Sequence, residues 1–299
     1  MDNMIDQQNI QLDHIVVLLS YLELLNLPTW IKANFTVSPG GRHADGKTEN
    51  KLILFQDGTY IELIAFLHDD PANRRGHWWG DKRHGIIDWA LTSSTVEHAN
   101  RAAACLREWK SKQDNEALAD FAYTQPRQGG RRKPDGQEIA WFVTFPQGVR
   151  RGLAPFWCHD STPRQLRAPI GPQGLQHQCG AIGISNLIVH TPLSAALQGA
   201  YDAILAQPGA LTADDTKTAG PEWTVESPQP SHAHRTSKIS LRPLDNDKQL
   251  HDVDAEIRIE LAVGSGGETQ IPGPISGKVG LHGEGQISIS FVRTERNGP

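Results

Sequence analysis

The chain carries one phrase twice. Gly40-Gly41-Arg42-His43-Ala44-Asp45-Gly46, with the apolar run Leu52-Ile53-Leu54-Phe55 after it, returns as Gly129-Gly130-Arg131-Arg132-Lys133-Pro134-Asp135-Gly136 with Trp141-Phe142-Val143-Thr144-Phe145 after it. Each copy follows an apolar strand-like run and a helical stretch, and each precedes another strand-like run. The spacing is too long for a solenoid unit. It implies a duplicated supersecondary module whose two copies close around a shared site.

Hydrophobic periodicity fills in both copies. Leu12 to Leu19 reads as a strand and Tyr21 to Lys32 as a helical stretch. Phe35-Thr36-Val37 reads as a second strand, which Ser38-Pro39-Gly40-Gly41 ends as a turn. Lys51 to Phe55 and Tyr60 to Phe66 are strands joined by the hairpin turn Asp57-Gly58. The second copy runs from Gly85–Leu91 through a helix capped by Ser93 or Ser94, with Glu97 placed for a capping box. It continues with Phe121-Ala122-Tyr123, the repeated glycine-arginine turn, Ile139 to Phe145, and a last strand around Pro155 to His159.

The order is β-α-β-β-β twice, an α+β architecture. Residues 1–84 make a first βαβββ module and 85–165 a second, with 166–180 as a linker. Residues 181–299 read as a degenerate third module: Ile182 to Val189 as strand, then a helix opened by Thr191-Pro192, then a flexible insertion around 208–237. Strands resume at Lys238–Leu241, Ala255–Val263 and Gln286–Val292, with Gly264–Gly267 and Gly273–Gly277 as flexible connections.

Composition excludes several classes of function. A formal charge of −5 leaves no basic face for nucleic acid, and no apolar run is long enough to span a bilayer. Met1 to Gln11 is acidic and amide-rich, unlike a targeting peptide. Cys105, Cys158 and Cys179 are odd in number and never in a CxxC spacing, which argues for a reducing, cytoplasmic setting rather than a disulfide framework or zinc knuckle. There is no GxGxxG after a strand, no Walker loop and no Gly-x-Ser-x-Gly elbow, so no nucleotide cofactor is indicated.

Leu12-Asp13-His14-Ile15-Val16, Ser38-Pro39-Gly40-Gly41-Arg42-His43, Thr48-Glu49-Asn50 and Tyr60-Ile61-Glu62-Leu63 together resemble the glyoxalase-like domain family of the vicinal oxygen chelate superfamily. Pro155-Phe156-Trp157-Cys158-His159 is similar to the family's closing strand, and the resemblance covers residues 12 to about 165. It implies that paired modules curve into a half-open sheet with outer helices. It also implies a divalent metal in the cup, held from the first and fourth strands of each module, and a small oxygenated ligand.

Overlaying the modules then places His14 with Asp88 and Glu62 with His159. These four are the candidate ligands, a set suited to Fe, Mn, Zn or Ni. Should no metal bind, Glu62 is a candidate general base with its pKa raised by burial. His43 joins Glu62 as a catalytic candidate. Arg42 and Asn50 are candidate substrate contacts, and Trp89 and Trp157 candidate pocket walls. Arg131, the repeat partner of Arg42, reads as structural, tied to a neighbouring carboxylate. The segment His77 to His84 reads as a lid or as packing between modules. Cys158 and His159, as strand neighbours, point to opposite faces, and no dyad is expected. His232-Ala233-His234 reads as solvated and His251–Asp254 as a charged turn.

Three functions follow from the resemblance: a metal-assisted lyase or isomerase, a sequestering protein with an aromatic pocket, or an extradiol-type dioxygenase built on His14, His159 and Glu62 or Asp88. Modules pair within the chain or between two chains, the latter a homodimer.

Overall fold

Strand β1 (Gln11–Leu18) is buried from Leu12 to Leu18 because both of its faces are covered. Ile15 and Val17 pack outward under the helices, while Val16 and Leu18 line the inside of a curved sheet. The computed structural model describes residues 10–113, 116–169, 176–211, 220–229, 234–244, 255–264, 271–280 and 282–294. The N-terminal segment Met1–Asn9, His232-Ala233, the turn His251–Asp254 and Ser265–Gly267 lie outside the described residues.

The first module continues with α1 (Tyr21–Leu25), α2 (Thr29–Asn34), β2 (Ser38–His43), β3 (Thr48–Leu54) and β4 (Tyr60–Phe66). Ser20 and Glu23 close a capping box at the start of α1. After the connector helix α3 (Pro71–Arg74), the second module follows as β5 (Gly85–Thr92), α4 (Glu97–Ser111), β6 (Ala122–Tyr123), β7 (Arg127–Arg132), β8 (Glu138–Thr144), β9 (Pro146–Gln147) and β10 (Phe156–Asp160). Helix α4 carries Val96 at its N-cap with no side-chain cap; Ser93 instead bonds the Thr95 carbonyl and His159.

The glycine-arginine phrase is a strand, not a turn, in both modules. β2 and β7 are built from it, and they pair with each other at Arg42–Arg132 and His43–Arg131. The glycines are needed because backbones close in here. A Cβ on Gly40 would stand 2.0 Å from Asn50 Oδ1, and one on Gly41 2.2 Å from the Arg132 carbonyl oxygen. Pro39 is tolerated beside a bulge between Pro39 and Gly41.

That pairing completes a ring. β1 runs parallel to β4, β4 pairs β3, β3 pairs β2, β2 pairs β7, β7 pairs β8, β8 pairs β10, β10 pairs β5, and β5 returns antiparallel to β1. The curved sheet implied by the resemblance, expected half-open, is thus closed at both module seams, and a barrel of this size is wide enough for side chains or one small ligand. Its outer face is covered by α4, whose Ala99, Ala102 and Leu106 are buried. A fully buried leucine contributes about 1.5–3 kcal/mol.

Helix α5 (Arg164–Arg167), across the start of the segment read as a linker, sends Arg167 into the barrel wall with 2% exposure. The rest of the chain forms β11 (Ala181–His190), α6 (Ser194–Leu205), β12 (Ala210–Leu211), β13 (Pro221–Glu226), β14 (Thr236–Arg242), β15 (Glu256–Val263), β16 (Ile275–Val279) and β17 (Gly285–Arg293). β11 is parallel to β14 and antiparallel to β15, as β1 is to β4 and β5. β15 is parallel to β17 and β17 antiparallel to β16, repeating β5, β10 and β8.

The flexible insertion expected at 208–237 instead contains β13, whose Trp223 and Val225 alternate into the core. The glycine run 273–277 leads into β16, where Gly277 allows Trp30 to approach. His234 is buried rather than solvated, with Nε2 3.0 Å from the Ile184 carbonyl and 3.5 Å from Asp57. With Thr59 and Ser227 it satisfies the buried Asp57 carboxylate where the β3–β4 hairpin docks on the C-terminal sheet. Among the described residues no helix is long and apolar enough to cross a membrane.

Candidate functional site

Glu62 is the centre of the cup. β4 points Tyr60 and Glu62 inward, and β1 brings His14 alongside, opposite Tyr60 in the ladder. His14 Nε2 lies 3.6 Å from Glu62 Oε2 and His43 Nε2 lies 3.4 Å from Oε1. Asn50 Nδ2 donates to Oε1 at 2.5 Å, while its Oδ1 accepts from the Gly41 amide at 3.0 Å and from Arg131 Nη1 at 3.3 Å. Glu62 is buried, which by itself raises a carboxyl pKa; the His43 hydrogen bond, the His43 and His14 charges and Asn50 outweigh this and bring it down to about 2. The raised pKa expected of a general base is therefore absent, and Glu62 is a standing carboxylate.

His14 is held on its other side. An irregularity between Leu12 and His14 lets Asp13 face the same interior, where Asp13 Oδ2 lies 3.0 Å from His14 Nδ1. Burial opposes the charge on Asp13, but Arg164 and Arg167 keep its pKa well below the usual range. Arg167 spans Asp13, Asp160 and the Tyr60 hydroxyl. The ionised Asp13 fixes the proton on Nδ1, so Nε2 of His14 faces Glu62. His14 also stacks on Tyr60 at 4.6 Å.

The second module does not supply the expected partners. Ala90 pairs with Phe156 as His14 pairs with Tyr60, so the places equivalent to His14 and Glu62 are Ala90 and Cys158. The overlay was one residue out of register in β10, which turns a strand residue to the other face, and two residues out in β5. His159 points outward, 2.8 Å from Ser93 Oγ and stacked on Trp157, and burial lowers its pKa to about 4. Asp88 is ion-paired to Arg151 and accepts from Trp79 Nε1 at 2.6 Å. Trp89 and Trp157 pack in the core under the helices rather than in the pocket wall.

Arg42 points away from the cup: it is 63% exposed and pairs with Glu49. Of these two strand neighbours, both read as site candidates, only His43 faces in. Arg131 is the arginine inside, and among the described residues no carboxylate pairs with it. Asp13 and Arg167 are the residues the sequence reading passed over, and Arg131 is one it took as structural. Only the Leu-Asp-His phrase offered a signal for Asp13.

The cup encloses about 260 Å³. Trp78, Trp141, Phe145 and Phe156 form an aromatic wall, and the connector residues Trp78 and Trp79 both line it. Trp78 packs on Phe145 at 4.8 Å. In the C-terminal sheet, Asn186 and Ser240 stand where His14 and Glu62 stand in the barrel, and they bond each other at 2.9 Å. The titratable cluster belongs to the first cup.

The glyoxalase-like domain family matches residues 12–205, well over half of the chain. The chain belongs to the glyoxalase-like domain family. Its fold is that of the vicinal oxygen chelate superfamily. This glyoxalase-like protein is similar to a hypothetical protein from Staphylococcus aureus, with TM-score 0.58 and 13% identity over 95% of this chain and 100% of that one. It also aligns with BphC, a halotolerant catechol dioxygenase (TM-score 0.46, 8% identity, 96% and 88% of the two chains). A methylmalonyl-CoA epimerase from Mycobacterium tuberculosis aligns more weakly (TM-score 0.29, 15% identity, 47% and 83%). At such identities the likeness is one of fold. No curated protein sequence matches the chain.

The donors of this glyoxalase-like cup do not fit the metal implied by the superfamily. Two of the four strand positions hold Ala90 and a thiol that burial pushes well above its usual pKa. Among the described residues no three His, Cys, Asp or Glu side chains are arranged to hold an ion together. The extradiol arrangement likewise loses His159 and Asp88.

Proposed function

We propose that this protein is a proton-transfer enzyme of the lyase or isomerase type, acting on a small oxygenated molecule in the barrel cup. One observation carries the reading: a buried, ionised Glu62 faces the Nε2 atoms of both His14 and His43 beside an aromatic pocket. A carboxylate with a pKa of about 2 is a poor proton acceptor, but it stabilises an imidazolium beside it. His43, with its side chain 14% exposed, is the proton carrier nearer the pocket opening, and Glu62 is its counter-charge. His14, locked by Asp13, supports Glu62 from the other side.

In this chemistry the neutral His43 ring, with its Nδ1–H on Thr48 Oγ1, takes at Nε2 the proton from a carbon next to a carbonyl. It becomes the imidazolium beside Glu62, while the C–H electron pair moves onto the carbonyl oxygen as an enolate. The enolate then either takes the proton back at a different face or carbon, or expels a leaving group from the adjacent carbon with that proton. The test is carbon-bound deuterium exchange in D₂O, read by NMR over a panel of small aldehydes, ketones and oxo acids. Wild type exchanges at least one of them, and His43→Gln slows exchange by about 10²–10⁴-fold with unfolding unchanged. Exchange by His43→Gln at the wild-type rate refutes the reading.

The aromatic wall supports a second reading, a binding protein of the same fold. Its signature is saturable binding of a panel member with no exchange by wild type.

A further inference from the structure

We infer that the cup selects a monoanionic ligand, a carboxylate on an apolar or aromatic body, and that Arg131 is the residue that docks it. The inference rests on the cup being the functional site and adds the chemical class of what enters it.

Arg131 is 5% exposed and lines the pocket. A guanidinium taken out of water is ordinarily matched by a carboxylate. Arg131 has two partners and both are neutral: Asn50 Oδ1 at 3.3 Å and the Arg167 carbonyl at 2.7 Å. Its Nε has no hydrogen-bond partner among the described residues. Burial lowers its pKa, and the charge of Glu62 partly counters that from beyond Asn50. The other interior arginines are used up differently. Arg164 and Arg167 serve Asp13 and Asp160, and Arg151 serves Asp88.

The surroundings define the rest of the ligand. Trp141, Phe145, Phe156 and Trp78 give it an apolar wall, and aromatic walls are what an apolar body packs on. About 260 Å³ is at or below the small end of ligand pockets, which suits a metabolite-sized acid rather than a nucleotide. A planar guanidinium meets a carboxylate through parallel N–H donors, and a single negative charge is favoured because Glu62 is already ionised nearby. His43 stands directly opposite Arg131 across the two strands, so an acid docked on Arg131 presents its neighbouring carbon to His43.

The experiment compares phenylacetate with phenylacetamide, which share a shape and differ in charge. Binding is read by calorimetry and by quenching of the tryptophans that line the cup. Wild type is expected to bind the carboxylate at least about tenfold more tightly. Arg131→Gln removes that preference, while His43→Gln keeps it. Arg131→Lys, which keeps the charge without the fork, retains a weaker preference and serves if the glutamine variant does not fold.

Equal binding of acid and amide by wild type overturns the inference, as does an undiminished preference in Arg131→Gln. The two proposals fail separately. A carboxylate preference lost in Arg131→Gln, with no deuterium exchange, upholds this inference and sinks the enzyme. Exchange that is confined to neutral carbonyl compounds and indifferent to Arg131→Gln does the reverse.

Discussion

His43 and Arg131 stand directly opposite each other where β2 meets β7, one from each module. The repeated phrase thus forms the seam that closes the barrel, and the seam delivers an imidazole and a guanidinium to the same interior. Asn50 ties both to Glu62, within 3.3 Å of His43 Nε2 and Arg131 Nη1 and 2.5 Å from the carboxylate.

The seam depends on glycine. In Gly40→Ala the new Cβ meets Asn50 Oδ1 at 2.0 Å and the Asn50 carbonyl oxygen at 2.3 Å. The substitution is expected to cost about 1–3 kcal/mol in urea unfolding and to weaken ligand binding, because Asn50 must move. Gly273→Ala, with nothing within 4 Å, is the control and stays within about 0.5 kcal/mol. A neutral Gly40→Ala removes the close approach as the reason for the phrase.

Asn50→Asp tests the hub. It replaces the donor that faces Glu62 with a second acceptor, and two carboxylates at this distance raise one pKa strongly. The variant is expected to be less stable than wild type at neutral pH and to regain part of the loss on acidification, as one of the pair protonates. Thermal unfolding between neutral and mildly acidic pH measures it. A constant difference between variant and wild type across that range shows that Asn50 does not govern the Glu62 charge.

The first-module interior was legible because its strands are regular enough for parity to hold. In β1 and β4 the alternation sends His14 and Glu62 inward, and they meet at 3.6 Å. Where the ladder slips, parity fails. Past the bulge in β2 the strand turns His43 inward and leaves Arg42 outside, and the irregularity in β1 adds Asp13 to the interior. In β10 the true register sets Cys158, not His159, at the place equivalent to Glu62. Arg167 was hidden for another reason: it lies on a single helical turn, too short for any periodicity, in a stretch read as a linker. The strand nature of β2 and β7 was masked by proline and glycine, which local propensity assigns to turns and which tertiary closeness requires here.

Arg167 holds two carboxylates at once, Asp13 and Asp160. Arg167→Met is expected to cost about 3 kcal/mol, the low end for breaking a buried pair, because Arg164 stays beside Asp13. Adding Asp13→Asn should recover part of this in a double-mutant cycle. Strict additivity of the two costs contradicts the pairing.

The absent metal set has a direct consequence. With Ala90 and Cys158 at the second-module positions, chelator treatment should leave the unfolding temperature unchanged. Wild type and His14→Ala purified side by side should carry equal, substoichiometric transition metal by elemental analysis. A stoichiometric metal lost in His14→Ala shows that the cup rearranges to bind one.

His159 gives the protein an acid-sensitive window separate from that of Glu62. It is 4% exposed, and burial lowers its pKa to about 4, against about 6.5 for an unperturbed histidine. Between these values the unfolded chain binds a proton that the folded chain does not, so stability falls as pH drops from about 6.5 to about 4, by about 3 kcal/mol in total. Glu62 acts lower: its folded pKa of about 2 lies below the unfolded one, so its contribution is intact above about 4.5 and is lost as pH falls through 2. In His159→Phe the ring can still pack on Trp157 and no proton can bind. Urea unfolding of this variant should therefore lose the slope between pH 6.5 and 4 and keep the steeper loss below it. If the slope persists in His159→Phe, the acid sensitivity has another source.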